Sequence, residues 1–153
     1  HANPSFWHNA KRNKSNEILK LLASKGGILG LSLYPHHLKN NSNCTLDSFC
    51  KMIVDLIEII GIDHLGFGSD LCQDQPDSVV EWMRVGRWTK KIDYGEGSAS
   101  NSGFPKMPSW FKGNRDWKNI LNKLHELGLK QEEIDKIKGL NWYNFLKKTK
   151  AFK

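Results

Sequence analysis

The chain has 153 residues, of which 39% are hydrophobic, and its formal net charge at pH 7 is +7. This length is enough for one modest domain with its own core. No run of about 18 apolar residues occurs, so no transmembrane segment is expected in this chain. The positive charge comes mostly from scattered lysines and accompanies no recognisable nucleic-acid-binding module. A solvated basic surface is therefore favoured over a nucleic-acid partner.

The cysteines bear on the cellular compartment of the protein, and the first residues bear on whether the chain is a fragment. Cys44, Cys50 and Cys72 form neither a C-x-x-C pair nor a zinc-ribbon spacing, which predicts free thiols in a reducing compartment. A cytoplasmic location is favoured, and a secreted or periplasmic one stays open. The chain begins abruptly at His1 without a signal-peptide pattern. We expect a fragment whose first part has been removed.

The first half of the chain alternates helix and strand. Ser15 is a candidate N-cap for a first helix with an i, i+3, i+4 apolar stripe. The nearly continuous apolar run 28–34 predicts a strand covered on both faces. Thr45 caps a second predicted helix, whose apolar residues keep helical spacing up to Gly61. Residues 66–70 then form a second predicted strand, and this order indicates parallel strands joined by right-handed connections.

The second half begins with a long polar segment and ends in helices. Residues 71–114 are rich in Pro, Gly and Ser and are interpreted as a long loop or insertion, with a short helix predicted over residues 79–87. Its aromatic residues, among them Trp82, Trp88, Tyr94, Phe104, Trp110 and Phe111, predict that the segment packs against the rest of the protein. Helices are predicted around residues 117–127, 131–138 and 141–148.

The number of strands limits the architecture. Two strands are clear, and a third is expected to end just before His1. At least four helices accompany them. Two or three parallel strands cannot close a barrel, which needs eight. The sequence therefore predicts an α/β fold in which residues 1–153 form a single partial domain of a larger protein.

Candidate functional residues fall where the predicted strands end. Parallel strands direct their C-terminal ends to one face, so His1, Tyr34 and Asp70 are expected to converge there. A neutral imidazole can bind metal, and a carboxylate can bind metal or move protons. Arg12 offers a guanidinium for a carboxylate or phosphate. Structural roles stay open: Asp70 as a helix cap or ion-paired loop residue, and Tyr34 as a core or rim aromatic.

A dinucleotide-binding interpretation of Gly66-Phe67-Gly68 is excluded by spacing. The third glycine of that motif would fall at Leu71, and no capped helix is predicted to begin there.

Several motifs together resemble those of the membrane (renal) dipeptidase family. They are His1-Ala2-Asn3, Arg12-Asn13, the strand from Gly27 to Tyr34, Gly66-Phe67-Gly68-Ser69-Asp70 and Gly139-Leu140-Asn141-Trp142. Their order and spacing match the family over most of the chain. The resemblance implies the C-terminal portion of a (β/α)8 TIM barrel of the metal-dependent hydrolase type.

The resemblance also implies an activity and a set of site residues. The family cleaves dipeptides with two zinc ions. His1 resembles a histidine that binds one zinc ion, and Arg12 resembles the arginine that holds the substrate carboxylate. Asp70 resembles the aspartate after the last barrel strand, which contacts the substrate and shuttles protons. Tyr34 lies at a strand end that lines the substrate pocket, and His37 is carried over from the family less closely.

The departures from the family pattern concern residues upstream of this chain and, within it, the Phe6–Trp7 loop and the Leu71–Trp110 insertion, which leave substrate preference open. The family's His-x-Asp ligands, its metal-bridging glutamate and its earlier histidines have no counterpart here. His1 alone cannot hold zinc tightly, because such sites need about three or four protein ligands. The isolated chain is expected to be inactive. Its expected partners are the rest of the barrel and a dipeptide, and a homo-oligomer stays open. The alternative is a catalytically inactive, barrel-derived binding or regulatory module.

Overall fold

The computed structural model describes residues 1–84, 92 and 96–149, which form a mixed α/β fold. Two strands and six α-helices are connected by short 3-10 turns. In chain order they are α1 (Asn16–Ser24), β1 (Leu29–Leu31), α2 (Leu46–Ile60), β2 (Leu65–Phe67), α3 (Asp77–Arg84), α4 (Trp117–Glu126), α5 (Gln131–Asp135) and α6 (Asn141–Lys148). A π-helical turn, Lys136–Leu140, joins α5 to α6.

The sheet is parallel, as predicted. β1 pairs with β2, with Gly30 opposite Gly66. Ala2 adds one parallel bridge to Leu31 on the other side of β1. Three chain segments therefore run side by side in the order Ala2, β1, β2, and residues that follow them emerge at the same edge.

Both strands are shorter than the predicted segments 28–34 and 66–70. Regular pairing ends at Leu31 and Phe67, and a 3-10 turn begins at Pro35 soon after β1. The two segments that follow β1 and β2 nevertheless continue alongside each other. The Leu33 amide donates to the Ser69 carbonyl at 3.1 Å.

Two glycines let the ends of the strands approach closely. A Cβ added to Gly68 would lie 3.1 Å from the Cα of Gly30, and one added to Gly30 would lie 3.2 Å from the Cα of Gly68. A side chain at either position would therefore separate the two backbones. This close contact holds the segments that follow β1 and β2 side by side.

Helix α2 provides much of the buried core, and its ends match the sequence signals. The Thr45 hydroxyl accepts a hydrogen bond from the Ser48 amide at 3.2 Å, as expected of an N-cap. Gly61, with φ of 83°, follows the last residue of the helix. Six side chains of α2 are buried: Phe49, Cys50, Met52, Ile53, Leu56 and Ile60.

The predicted side-chain cap of α1 is wrong. Ser15 occupies the N-cap position but makes no capping hydrogen bond to the backbone. Its side chain hydrogen-bonds the Glu17 carboxylate instead.

The segment predicted as a long loop is more structured than expected. It contains α3, which begins two residues earlier than predicted. Residues 85–87 of that predicted helix, and Trp88 and Tyr94, lie outside the described residues. Phe111 is fully buried, and the Trp110 indole donates to the Cys44 carbonyl at 2.6 Å. These contacts dock the end of the segment on the start of α2.

None of the helices in the described part of the chain is both long enough and apolar enough to cross a bilayer.

Candidate functional site

A cavity of about 780 Å³ opens where the three parallel segments end. All four residues predicted for the site line it. They share this location with cationic, apolar and thiol side chains from the surrounding loops. The lining residues are His1, Lys11, Arg12, Lys14, Tyr34, His37, Asp70, Cys72, Val80, Met83, Arg84, Glu96 and Phe104.

His1 and Asp70 are in direct contact at the edge of the sheet. His1 Nε2 lies 3.3 Å from Asp70 Oδ2, and about a third of each side chain is exposed, 38% and 31% respectively. Asp70 follows the end of β2 in a left-handed backbone conformation, with φ of 57°. A ring nitrogen and a carboxylate oxygen therefore stand together, open to the cavity, at adjacent ends of parallel segments.

His37 lies beneath this pair and is almost completely buried. Its ring stacks on that of His1, with centroids 6.3 Å apart and planes 9° from parallel. The Ser32 hydroxyl lies 2.8 Å from Nδ1, and Glu96 Oε2 lies 3.8 Å from Nε2. Burial lowers the pKa of His37 to about 4, although the negative charge of Asp70 opposes the shift. The ring is therefore neutral at pH 7.

Arg12 occupies a turn on the opposite side of His1 from β1. It is exposed, and Lys11 and Lys14 line the cavity beside it. The Lys14 ammonium donates to the Arg12 carbonyl at 2.6 Å, which links the Lys14 side chain to the backbone of the turn. This concentration of cations suits a carboxylate or another anionic group.

Tyr34 connects the sheet to the segment after β2. Burial raises the pKa of its hydroxyl, and the Arg84 guanidinium, which hydrogen-bonds to it, opposes that rise. Arg84 also donates to the Ser102 carbonyl. A Cβ on Gly97 would lie 3.0 Å from Arg84 Cζ, so the guanidinium is packed against that turn.

Arg84 and Glu96 are cavity residues that the sequence analysis missed. Both lie in the segment interpreted as a loop, where no periodicity or motif singles out one charged residue from the next. The only available signal is that Arg84 falls within the short helix predicted over residues 79–87.

The donor set on this chain fits part of a metal centre. Across residues 1–84, 92 and 96–149, no group of three or more His, Cys, Asp or Glu side chains could hold an ion. His1 and Asp70 supply one imidazole and one carboxylate, which is compatible with zinc chemistry and short of the usual ligand number.

Comparison with known proteins identifies the family. Residues 1–91, more than half of the chain, match the family model described as membrane dipeptidase (peptidase family M19). An uncharacterized dipeptidase of Schizosaccharomyces pombe is 21% identical over 142 residues, which cover 91% of this chain and 27% of that protein. The chain thus spans about a quarter of the length of this curated relative.

Solved structures agree. An amidohydrolase from Pseudomonas aeruginosa superimposes with a TM-score of 0.82 and 26% identity, covering 96% of this chain and 43% of that one. A metallopeptidase from Rhodobacter sphaeroides, liganded with a phosphinate mimic of the dipeptide L-Ala-D-Ala, gives a TM-score of 0.63 at 18% identity, with 90% and 32% coverage. The dipeptidase AC of family M19 gives 0.62 at 17% identity, with 89% and 32% coverage. The resemblance found in the motifs is thereby confirmed, and the chain belongs to the membrane dipeptidase family, peptidase family M19.

Proposed function

We propose that this chain is the C-terminal portion of a (β/α)8 TIM barrel that acts as a zinc-dependent dipeptidase. Three parallel segments with helices packed on them match part of a (β/α)8 barrel. A complete barrel has eight strands, so the other strands would come from the rest of the protein. The coverage of 27% to 43% of the relatives' lengths agrees with a partial barrel.

One observation carries the functional proposal. In a chain of the M19 family, the guanidinium of Arg12 and the His1–Asp70 pair line the same open cavity at the C-terminal ends of the parallel segments. A dipeptide has a carboxylate at one end and an amide bond a few ångströms away. The cavity offers a cation for the first and acid–base groups for the second.

The residues divide the work by their chemistry. Arg12 binds the substrate carboxylate through paired N–H donors and so orients the amide bond. Asp70, on the opposite side, takes a proton from the attacking water and passes it to the leaving amine. Tyr34 lines the same cavity.

His1 is the one proposed metal ligand of this chain, and the remaining ligands come from the rest of the barrel. Two zinc ions, when bound, activate water and polarise the amide carbonyl. Neutral imidazole is the form that binds zinc.

Arg12→Ala in the full-length protein tests the orienting role. Loss of a charged hydrogen-bonding partner should lower kcat/KM for dipeptides by roughly 10- to 100-fold. Lys11→Ala, which removes a neighbouring cation from the same cavity, is the matched control and should change kcat/KM by less than about 3-fold. Steady-state hydrolysis assays measure both. Equal losses in the two variants would reduce the role of Arg12 to general positive charge.

Asp70→Asn tests the proton-transfer role. Removal of a general acid should lower kcat by roughly 100- to 10,000-fold. Asp74→Asn is the matched control, because Asp74 has a similar left-handed backbone, with φ of 58°, and makes no contact with His1 among the described interactions. Full activity in Asp70→Asn would contradict the assignment. A metal-free, inactive wild-type protein would instead favour the binding or regulatory module.

A further inference from the structure

A closed network of buried amides lies directly behind the cavity. Asn3 is fully buried, and Asn13 is 8% exposed. The side chain of Asn13 accepts a hydrogen bond from the Asn3 amide at 2.9 Å, and the Asn3 side chain accepts one from the Ser32 amide at 3.1 Å. Three separate chain segments therefore meet through two asparagine side chains.

The donors of both asparagines are also used. Asn3 Nδ2 donates to the Ser32 carbonyl at 3.0 Å and to the His37 carbonyl at 3.1 Å. Asn13 Nδ2 donates to the carbonyls of His8 at 2.8 Å and His37 at 3.0 Å. Each amide thus makes three hydrogen bonds, and the two oxygen lone pairs of His37 are both occupied. Fully satisfied buried networks of this kind are rigid.

The members of the network lie close in sequence to residues that face the cavity. Asn3 is two residues after His1, and Asn13 directly follows Arg12. Asn13 is buried and held by the network, whereas its neighbour Arg12 is open to solvent. An exposed, long side chain depends on its backbone for position, because no packing holds it.

The loop that carries Arg12 depends strongly on Asn13. Its base is closed by the Lys14 amide, which donates to the Asn3 carbonyl at 2.9 Å, and by the Ser5 amide, which donates to the Lys14 carbonyl at 2.8 Å. Inside that closure, Asn13 alone joins the loop at His8 to both the sheet edge and His37, within the described residues.

We infer that Asn13 is a positioning residue that sets the guanidinium of Arg12 for carboxylate recognition. This inference rests on the proposed function, because it names a residue through which the same site would recognise the free carboxylate of its substrate. Asn13 does not touch the substrate. It acts by holding the backbone from which Arg12 projects.

Asn13→Asp is the sharpest test. The substitution keeps an acceptor for the Asn3 amide and replaces two N–H donors by an oxygen facing two carbonyls, so the loop must shift. In the full-length protein we expect KM for a dipeptide to rise by roughly 10-fold or more, with kcat changed by less than about 3-fold. For the same dipeptide with its C-terminal carboxylate converted to an amide, kcat/KM should stay within about 3-fold.

Asn141→Asp is the matched control. Asn141 is also a buried asparagine, and its Nδ2 donates to two carbonyls, those of Ile62 and Leu65, both at 2.8 Å. These bonds lie at the start of β2, away from the cavity. The control should lower thermal stability and leave the preference for the acid over the amide unchanged. Asn13→Ala, which introduces no charge, replaces Asn13→Asp should the latter fail to fold.

A double variant separates positioning from general damage. In an Arg12→Ala background, Asn13→Asp should cause no further loss with the dipeptide, because the two changes act through one interaction. Titration calorimetry with a phosphinate dipeptide analogue, with and without its terminal carboxylate, gives a second readout that needs no turnover.

The outcomes are distinct. Equal losses on the acid and amide substrates, or an unchanged acid preference in both Asn13 variants, would overturn the positioning role. A wild-type protein that binds the analogue with a carboxylate preference but hydrolyses no dipeptide would overturn the proposed function and leave the role of Asn13 intact. A wild-type protein with no carboxylate preference in either assay would overturn both.

Discussion

Burial determines the chemical state of several single residues in this chain. His37 is neutral because its ring is buried below the cavity. The thiols of Cys44 and Cys50 are buried among apolar side chains, and burial raises the pKa of each to about 12. Cys72, two residues after Asp70, is exposed. Residues of one type therefore differ in reactivity according to their depth.

Thiol labelling of the folded protein should reflect this difference. At pH 8 a thiol with a pKa near 12 is about one part in ten thousand thiolate, so Cys44 and Cys50 should resist iodoacetamide while Cys72 is alkylated. Peptide mass spectrometry after a short pulse measures each site. All three should react in denaturant, and Cys72→Ser should remove the native-state label. Rapid labelling of Cys50 in the folded protein would contradict the buried position of α2.

At the residue scale, the sequence located the strand-end residues but not their surroundings. His1, Tyr34 and Asp70 could be placed because parallel strands end at one edge, and the structure does put them around one cavity. Arg84 and Glu96 could not, because their approach depends on how a segment without periodicity folds back. The stacking of His37 under His1 likewise depends on a turn that no sequence pattern specifies.

At the scale of elements, β2 and α6 fit together through one glycine and one tryptophan. The Trp142 indole lies over Gly66, where an added Cβ would come within 2.7 Å of Trp142 Cδ1. The indole N–H donates to the Phe67 carbonyl at 3.1 Å. Because α6 follows α5 and the π turn closely, this contact fixes the C-terminal helices on the sheet.

Gly66→Ala should therefore destabilise the protein. The methyl group would displace the indole, at a cost of about 1–3 kcal/mol in the free energy of unfolding, as for overpacked cores. Gly139→Ala is the control, since nothing lies within 4 Å of a Cβ there, and it should change stability by less than about 1 kcal/mol. Urea unfolding followed by fluorescence measures both. A neutral Gly66→Ala would show that α6 is not fixed by this contact.

Element types were easier to predict than element contacts. The bounds of α2 follow from Thr45 and Gly61, and periodicity identified α4 and α6. The strands were predicted too long, because apolar composition continues after regular pairing has ended. The placement of α6 over Gly66 could not be foreseen, since it depends on a long-range fit between a flat side chain and bare backbone.

At the scale of the whole molecule, this chain contributes one edge of the proposed site. Arg12, His1 and Asp70 all line its cavity, whereas most of the proposed metal ligands are expected from the rest of the protein. Metal binding should therefore depend on His1 in the full-length protein but not on Arg12.

His1→Ala should reduce the zinc content of the purified full-length protein from about two ions to about one, because one site loses a ligand. Arg12→Ala, which also impairs turnover, should retain both ions. Plasma emission spectrometry gives the stoichiometry directly. Two tightly held ions in His1→Ala would show that this histidine does not bind metal.

The left-handed backbone of Asp70 has a consequence for how tolerance at this position is interpreted. Asn, Asp and Gly enter that conformation readily, whereas β-branched and bulky residues do so at a cost. Position 70 is therefore restricted by geometry before any chemistry is considered. A saturation library scored for folding alone would already accept only a few residue types at position 70. Restricted residue usage there is therefore weak evidence of catalysis. The informative comparison is between Asp and Asn. Both side chains tolerate the left-handed conformation, but only the carboxyl group of Asp can take up and release a proton.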